Sequence, residues 1–495
     1  MKLEKLLSSL NYEVLKGSLD TEIDDIIYDS RKAVKGTAFV CLKGFNTDGH
    51  KYAQDAIEKG VSALIVSDEV NTDADITIIK VENTRAALAV MSKTLFENPA
   101  DELTTIAITG TKGKTTTVAM IRSILECAGI KTGTIGTLGI VIGDKIYKTA
   151  NTTPESYEIQ QAMRKMVKKG CKAMVIEASS LGLKNHRTDC INFDYGIFTN
   201  FSHDHIGESE HPNMQDYLES KALLFKNCKK GIINIDDEAT AELLKDSTCE
   251  KVTYGFNEAA DFYAENDKLL ARQGFIGVHF DVKGRKELSA DVAIPGRFSV
   301  YNALAATALC SEMGIADEFI LKGLETVKVK GRVEVYPVKS NYTLLIDYAH
   351  NAVSMENVLT TLREYKPHRL ITMFGAGGNR PKARRYEMGE VSGKLSDLSV
   401  ITEDNSRFED VNDIIADIKV GIDKTDGEYV IVPNRVDAIR YCIENAQPGD
   451  IIVLAGKGHE DYQEIKGVKY HLDEREVIAD ILKPQKDEDI VVTEE

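Results

Sequence analysis

Residues 106–117, Ile-Ala-Ile-Thr-Gly-Thr-Lys-Gly-Lys-Thr-Thr-Thr, constrain the fold more than any other stretch of this chain. An apolar strand runs into a turn containing Gly110 and Gly113, and a helical pattern follows the turn. The glycines let backbone N–H groups face an anion, Lys114 adds a positive charge, and Thr115 offers a hydroxyl to Mg²⁺. The usual pattern places its first glycine one residue earlier, where this chain has threonine. We interpret the stretch as a shortened phosphate loop of a nucleoside-triphosphate site rather than a plain glycine-rich turn.

The length of 495 residues is too great for a single hydrophobic core. Alternating strand-like and helix-like runs predict an α/β protein with three domains, at residues 1–98, 99–330 and 331–495. Eight cysteines are scattered without the paired spacing of a zinc site or a disulfide framework. They therefore favour a reduced environment and small buried side chains.

The formal net charge of −17 argues against nucleic-acid binding, which needs a basic field. An anionic substrate must then be held by local clusters of cations. The N-terminus has no secretory pattern, and no apolar run approaches the ~20 residues that cross a bilayer. We expect a cytoplasmic protein that does not insert into membranes, and we expect a monomer.

Two polar loops follow strands of the first predicted domain. One is Asp29-Ser30-Arg31, and the other is residues 44–50, Gly-Phe-Asn-Thr-Asp-Gly-His. Ligands bind at strand ends in α/β sheets, although either loop alone also fits a solvated turn.

In the second predicted domain, the apolar strand 173–176 ends in Glu177. A carboxylate at the end of a strand beside a phosphate loop suits a Mg²⁺ ligand or a base that orients water, although a helix cap is also possible. The next strand precedes residues 201–205, Phe-Ser-His-Asp-His, which are rich in possible ligands. Residues 251–290 predict a side sheet of antiparallel strands, and Lys221 reads as an ordinary helix lysine.

Two further polar stretches belong to this domain. Asn151-Thr152-Thr153-Pro154 leaves hydroxyls and an amide exposed where proline ends an extended segment, and Asn185-His186-Arg187 is cationic. The second stretch suits a phosphate or carboxylate group.

From residue 331 a repeated βαβ pattern predicts a doubly wound sheet of five or six strands. Nearly every strand ends in a polar loop. These loops are residues 347–351, 375–380, 403–407, 434–435 and 456–460. Five such loops on one edge of a sheet indicate a binding face. With the phosphate loop they favour ATP-driven activation of a carboxylate, followed by attack of an amine, with chemistry assembled between domains.

Over almost its whole length the chain resembles the Mur ligases of bacterial cell-wall synthesis. The signatures are Gly-Thr-Lys-Gly-Lys-Thr-Thr at 110–116, Glu-Ala-Ser-Ser at 177–180, Thr-Asn-Phe-Ser-His-Asp-His at 199–205, Asn-Ala-Leu-Ala-Ala at 302–306, Gly-Arg at 331–332 and Asp-Tyr-Ala-His-Asn at 347–351. Asp-Ser-Arg, Asn-Thr-Thr-Pro, Gly-Lys-Gly-His-Glu-Asp-Tyr-Gln at 456–463 and the Asp-Asn-x-Arg loop look like the family member that adds the third residue of the stem peptide.

This resemblance implies a three-domain architecture with a central ATPase-like domain that carries the phosphate loop. It also implies an ATP-dependent ligase that joins a diamino acid to UDP-N-acetylmuramoyl-L-alanyl-D-glutamate through an acyl phosphate. ATP and Mg²⁺ are the implied cofactors. The implied partners are the UDP-N-acetylmuramoyl-dipeptide and the diamino acid.

The resemblance assigns the catalytic centre as follows. The implied ATP-binding residues are Gly110, Thr111, Lys112, Gly113, Lys114, Thr115, Thr116, Asn302, Arg332 and Asp347. The implied metal ligands are Thr115, Glu177, His205 and Lys221, the last as a carbamate. The implied catalytic residues are Lys114, Glu177, His205 and Lys221.

It also implies two substrate sets. The residues implied for the UDP-sugar are Ser30, Asn46, Asn151, Thr152, Thr153, Ser179, Asn185 and Arg187. Those implied for the amino acid are Arg385, Asp404, Asn405, Arg407, Gly456 and Glu460. Family members that use meso-diaminopimelate resemble Asp-Asn-Pro-Arg in this loop, whereas here Ser406 replaces proline. We favour meso-diaminopimelate over L-lysine because the Arg407 guanidinium can fork onto a second carboxylate.

Two other readings stay open at this point. Folylpolyglutamate synthetase shares the ATP machinery, but it should lack a nucleotide-sugar domain such as residues 1–98. A non-catalytic ATP-binding module would hydrolyse ATP slowly and independently of amino acids.

Overall fold

The computed structural model describes residues 1–44, 47–207, 210–272 and 274–483. The chain forms two compact units. The first comprises residues 1–265, 281–290 and 301–325, and the second comprises residues 266–280, 291–300 and 326–495.

The N-terminal part of the first unit is a small α/β layer structure. Its strands are β1 (Tyr12–Lys16), β2 (Asp25–Ile27), β3 (Thr37–Val40), β4 (Ala63–Val66) and β5 (Thr77–Val81). Its α-helices are α1 (Leu3–Leu7), α2 (Ala53–Glu58) and α3 (Thr84–Leu95), with 3-10 turns at Ser30–Lys32, Gly49–Tyr52 and Pro99–Glu102. The sheet order is β1-β5-β4-β3-β2, with β1 antiparallel and the other strands parallel. Apolar clusters cover both faces of the sheet, as parallel strands require.

The central part is built on a larger sheet. Its strands are β6 (Thr104–Thr109), β7 (Thr132–Gly136), β8 (Gly139–Ile142), β9 (Lys145–Tyr147), β10 (Ala173–Glu177), β11 (Phe193–Phe198), β12 (Cys228–Asn234), β13 (Glu250–Gly255), β14 (Phe262–Arg272), β15 (Phe275–Gly284) and β16 (Leu288–Val292). Its helices are α4 (Lys114–Cys127), α5 (Ser156–Lys168), α6 (Ser180–Lys184), α7 (Met214–Lys226), α8 (Thr240–Leu243), α9 (Phe298–Glu312) and α10 (Asp317–Thr326). Read across the sheet, the strand order is β16-β15-β14-β13-β12-β11-β6-β10-β7-β8-β9.

The strands that matter for the site are β7, β10, β6 and β11, which are neighbours and parallel. Their carboxyl ends therefore meet at one edge of the sheet. The expectation of an antiparallel side sheet over residues 251–290 is wrong in two respects, because β13 is parallel to both of its neighbours and the strands belong to the main sheet. β13 pairs in parallel with β12, and β14 to β16 continue the same sheet. Cys228 and Ile233 of β12 pack with Leu224 and Phe225 of α7 in the core cluster of the central part, so this side of the sheet belongs to the main core.

The C-terminal part of the second unit has the predicted doubly wound sheet. Its strands are β17 (Glu334–Tyr336), β18 (Thr343–Asp347), β19 (Leu370–Phe374), β20 (Leu398–Ile401), β21 (Tyr429–Ile431) and β22 (Ile451–Ala455), followed by a hairpin of β23 (Tyr462–Ile465) and β24 (Val468–His471). Its helices are α11 (Ala352–Arg363), α12 (Lys382–Leu395), α13 (Val411–Ile422), α14 (Arg435–Glu444) and α15 (Glu474–Ile481).

In this sheet the order is β17-β18-β22-β19-β20-β21, parallel except for β17. Helices α11, α12 and α13 pack on one face, and α14 and α15 pack on the other. The polar loops that follow the parallel strands thus share one edge. Within the described residues, no helix combines the length and the apolar character needed to cross a membrane.

Candidate active site

The phosphate loop connects β6 to α4. Gly110 has φ +142° and Gly113, which caps α4, has φ +86°, a region that side chains rarely adopt. A Cβ atom at Gly110 would also collide with the hydroxyl of Thr199, and one at Gly113 would collide with the amide oxygen of Asn302. The loop conformation therefore depends on both glycines, and it leaves the N-terminus of α4 facing outward from the sheet edge.

The residues after β11 hold this loop in place. The Asn200 carbonyl accepts from the Thr111 N–H at 2.8 Å, and the Asn200 side chain accepts from the Lys112 N–H at 2.9 Å. Thr199 donates to the Lys112 carbonyl at 2.7 Å. Thr116 lies half-buried in the first turn of α4. Three hydrogen bonds to Thr199 and Asn200 thus fix the conformation of the loop.

Two lysines converge on one backbone carbonyl of the loop. Lys114 Nζ donates to the Gly110 oxygen at 2.8 Å and to the Thr111 oxygen at 2.9 Å. Lys221 Nζ, on α7, donates to the same Gly110 oxygen at 3.0 Å and lies 4.2 Å from the centroid of the Tyr217 ring. Burial lowers the pKa of Lys114, against the opposing charges of nearby carboxylates. Burial, together with the charge of Lys114, lowers the pKa of Lys221 well below its usual range.

Glu177 ends β10 and is almost completely buried, at 2% exposure. Its carboxylate accepts from the Thr115 hydroxyl at 3.0 Å, from the Thr137 N–H at 2.9 Å and from the Thr137 hydroxyl at 3.2 Å. Thr137 directly follows β7, so the carboxyl ends of three neighbouring strands meet at this carboxylate. Buried oxygen donors of this kind suit Mg²⁺.

The other predicted metal ligand, His205, lies in a different setting. It is half-exposed, its backbone is in the left-handed region with φ +55°, and its Nδ1 lies 3.1 Å from Glu210 Oε1. Among the described residues, the structure gives no contact that joins His205 to Glu177 or Lys221. Of the four predicted metal ligands, it brings Thr115 and Glu177 into direct contact and places Lys221 at the loop carbonyl.

The remaining ATP residues divide between the units. Asn302 lies in the first unit and is buried, where its side chain accepts from the Thr117 hydroxyl at 3.3 Å. Arg332 and Asp347 lie in the second unit. The Asp347 carboxylate accepts from the N–H groups of Val333 and Ala349, both at 2.7 Å, while burial raises its pKa.

The residues predicted for the UDP-sugar partly cluster in the first unit. The Thr153 hydroxyl donates to the Glu177 carbonyl at 2.7 Å and accepts from the Ser179 N–H at 2.9 Å, and Arg187 Nη1 donates to the Thr153 carbonyl at 3.0 Å. Thr152 lies beside this cluster, with its hydroxyl 3.3 Å from that of Thr137.

Three more of the predicted UDP-sugar residues lie at the margins of that cluster or apart from it. Asn151 is exposed and directly precedes Thr152, and Asn185 caps the C-terminus of α6. Ser30 is buried at the start of a 3-10 turn, and its carbonyl accepts from Lys59 at 3.1 Å. Asn46 lies outside the described residues.

Five of the six residues predicted for the amino acid line one cleft of about 120 Å³ in the second unit, namely Asp404, Asn405, Arg407, Gly456 and Glu460. Arg407 Nη1 donates to the Gly378 carbonyl at 2.7 Å, and its Nε lies 3.3 Å from Glu464. Ser406 is buried in the same loop, and its carbonyl lies against Gly378.

The sixth residue, Arg385, lies outside the lining of that cleft. Its side chain is buried and bonded to Glu409 and Asp417, each at 2.8 Å, so its charge is already neutralised. Arg380 and Arg384 line the cleft instead.

Sequence reasoning placed Lys457 in the polar loop 456–460 but did not assign it to the acceptor site. Lys457 is completely buried and donates to the Asn405 side chain at 2.7 Å, to the Tyr462 carbonyl at 2.6 Å and to Glu460 at 3.3 Å. It also lies 3.4 Å from Asp404. Burial opposes ionisation of Asp404, but the charges of Lys457 and Arg435 outweigh it and lower its pKa.

Three family models match the chain. They are the Mur ligase family catalytic domain over residues 22–96, the Mur ligase middle domain over residues 108–310, and the Mur ligase glutamate ligase domain over residues 331–458.

Curated relatives match over nearly the full length of the chain. The UDP-N-acetylmuramoyl-L-alanyl-D-glutamate–2,6-diaminopimelate ligase 1 of Clostridium acetobutylicum is 42% identical, over 98% of this chain and 99% of that relative. The Clostridium perfringens ligase of the same kind is also 42% identical, over 98% and 100%. A solved structure of a ligase with this name has 27% identity and a TM-score of 0.73, covering 97% of this chain and 98% of the other.

The chain therefore belongs to the Mur ligase family and is a ligase enzyme. The predicted family and the predicted α/β Mur ligase architecture are confirmed. The domain boundaries after residues 98 and 330, and the roles of the individual site residues, stay predictions.

Proposed function

We propose that this protein joins meso-diaminopimelate to UDP-N-acetylmuramoyl-L-alanyl-D-glutamate with hydrolysis of ATP, and so forms the tripeptide precursor of peptidoglycan. The strongest support is the 42% identity, over nearly the full length of both chains, with ligases named for this reaction. L-Lysine as the acceptor is the second candidate, because Ser406 stands where proline is expected.

The phosphate loop supports the first step of this reaction. The N–H groups at the start of α4 and the ammonium of Lys114 would bind the triphosphate. A carboxylate of the glutamate in the dipeptide attacks the γ-phosphorus of ATP, ADP leaves, and an acyl phosphate forms. Lys114 would stabilise negative charge on the phosphoryl group during transfer.

The oxygen donors at Glu177 fit the magnesium ion that such ligases use. Glu177 and Thr115 present a buried carboxylate and a hydroxyl 3.0 Å apart, which is a hard oxygen set beside the phosphate loop. Magnesium bound there would neutralise phosphate charge. Lys221, whose lowered pKa favours the neutral amine, is the proposed site of carbamylation.

The cleft in the second unit supports the proposed acceptor. Three guanidinium groups, of Arg380, Arg384 and Arg407, line it together with the carboxylates of Asp404 and Glu460. A diamino dicarboxylic acid offers two carboxylates and two ammonium groups to this mixture, whereas L-lysine has a single carboxylate. The amine of the bound acceptor attacks the acyl carbon, the amide bond forms, and phosphate leaves.

Phosphate release by the purified protein tests this proposal. We expect release to require ATP, the UDP-N-acetylmuramoyl-dipeptide and a diamino acid together, with meso-diaminopimelate preferred over L-lysine. Slow phosphate release at a rate that does not depend on the amino acid would refute the proposed ligase reaction. Equal use of both acceptors would refute the specificity argument while leaving the ligase intact.

A further inference from the structure

Two arginines from different predicted domains converge on one carboxylate in the first unit. Arg85, at the start of α3, places Nη1 at 2.9 Å and 2.8 Å from the two oxygens of Glu155. Arg187, which follows α6, places Nη2 at 3.0 Å from the same carboxylate. The side chains of Arg85 and Arg187 are only 17% and 14% exposed, so solvent screens this cluster weakly.

The cluster retains positive charge and unused donors. Two guanidinium groups face one carboxylate, and each guanidinium carries five N–H donors. Arg187 Nε is buried and has no hydrogen-bond partner among the described residues. Arg85 Nη2 makes one long bond of 3.3 Å, to the Lys43 carbonyl. The two guanidinium groups can therefore donate hydrogen bonds to a second anionic group while Glu155 keeps both guanidinium planes in place.

The two arginines contact two places that are predicted to bind the nucleotide sugar. Arg187 also donates to the carbonyl of Thr153, which with Thr152 forms the threonine cluster beside Glu177. Arg85 contacts the carbonyl of Lys43, which directly precedes the polar loop at residues 44–50. In a chain of net charge −17, a half-buried cationic pair at this position supplies the local positive charge that an anionic substrate requires.

We propose that Arg85 is a further binding residue for the nucleotide sugar, and that with Arg187 it binds an anionic group of that substrate. This inference rests on the proposed function. The substrate offers two groups of suitable chemistry besides the reacting carboxylate, namely the diphosphate and the second carboxylate of the glutamate. Glu155 acts as the positioning residue that fixes the two arginines.

The test compares Arg85→Met with Arg85→Lys in the full-length protein. For Arg85→Met we expect the KM and the Kd for the UDP-N-acetylmuramoyl-dipeptide to rise about tenfold to a hundredfold, because a charged hydrogen-bonding partner is lost. The KM values for ATP and the diamino acid should change by less than about twofold. Arg85→Lys keeps the charge but not the fork, so it should give an intermediate rise and a parental melting temperature.

Arg164→Met is the matched control. Arg164 also joins residues of both predicted domains, since it donates to the Phe96 carbonyl at 2.8 Å and pairs with Glu102 at 2.7 Å, but among the described residues it has no hydrogen bond or ion pair to the threonine cluster. We expect it to lower stability without changing the Kd for the nucleotide sugar. If Arg85→Met and Arg85→Lys behave like this control, Arg85 is structural and the inference is overturned.

Calorimetric binding separates the two anionic groups and does not depend on turnover. Weaker binding of UDP alone to Arg85→Met would assign the diphosphate. Weaker binding of the complete substrate with unchanged binding of UDP would assign the second carboxylate of the glutamate. Unchanged binding of both ligands overturns the inference, whereas failure of the parent protein to bind the nucleotide sugar would refute the proposed function itself.

Discussion

Replacing Lys457 with methionine removes the buried ammonium group beneath the acceptor cleft. The side chain is completely buried and donates hydrogen bonds to Asn405, Glu460 and the Tyr462 carbonyl. It also forms an ion pair with Asp404 at 3.4 Å. Methionine fills much of the same space but leaves the carboxylates without this partner. Removing one member of a buried ion pair costs about 3–5 kcal/mol.

We expect the lower end of that range, because Arg435 still contributes positive charge near Asp404. A loss of about 3 kcal/mol should lower the melting temperature of the second unit by about 6–12 °C, at roughly 2–4 °C per kcal/mol for a domain of this size. The KM for the acceptor should also rise by at least about tenfold, since Asn405 and Glu460 lose the group that orients them. The KM for the nucleotide sugar should stay near the parental value.

The pH dependence of this loss follows from Asp404. Its pKa is lowered in the folded protein, so its carboxylate adds stability above its unfolded pKa of about 3.9, and this stability is lost as the pH falls through the folded pKa. The difference between parent and variant should therefore be largest near neutral pH and shrink in acid.

Scanning calorimetry and steady-state kinetics measure both effects. Lys469→Met is the matched control, because Lys469 also lies over the Tyr462 ring, at 4.0 Å from its centroid, but is exposed on β24. Its effect should stay within about 1 kcal/mol. A Lys457→Met variant with parental melting temperature and parental acceptor KM would refute the reasoning.

Three further predictions concern the reaction itself. Lys114→Ala should lower kcat by at least about a thousandfold with an unchanged circular dichroism spectrum, because charge on the transferred phosphoryl group loses its partner; retained turnover would contradict the phosphate-loop assignment. Lys221→Ala should be inactive and regain part of its activity when small carboxylic acids are added, and the absence of rescue would count against a carbamate. Arg407→Ala should raise the KM for meso-diaminopimelate about tenfold or more while hardly changing that for L-lysine, as competition assays with both acceptors would show.

The local pattern was enough to predict the phosphate loop and the polar strand ends. Gly110, Gly113 and Glu177 stand where the strand-loop-helix pattern predicts. The same strand-end rule, applied to β7, would also have pointed to Thr137. Lys221 carried a weaker signal, because helical spacing places it on the buried face of α7 with Tyr217 and Leu224.

Other features depend on strand order and on contacts between distant residues. Thr115 meets Glu177 because β6 and β10 are neighbours, although β7, β8 and β9 come between them in the sequence. Arg384 and Arg385 are adjacent in the chain and equally cationic, so no sequence pattern distinguishes them. Only the carboxylates of Glu409 and Asp417, brought to Arg385 by folding, neutralise it and keep it out of the cleft lining.

The distribution of cations explains how an acidic protein can bind acidic substrates. Three sets of half-buried cations correspond to the three proposed ligands: Lys114 at the phosphate loop, Arg85 and Arg187 at the threonine cluster, and Arg384 and Arg407 in the acceptor cleft. Each set is held by carbonyl or carboxylate oxygens of the protein. Because partial burial lowers the effective dielectric around these groups, their attraction for an anion exceeds that of surface lysines at the same distance. The negative surface then disfavours nonspecific anions, while each set selects its ligand by geometry.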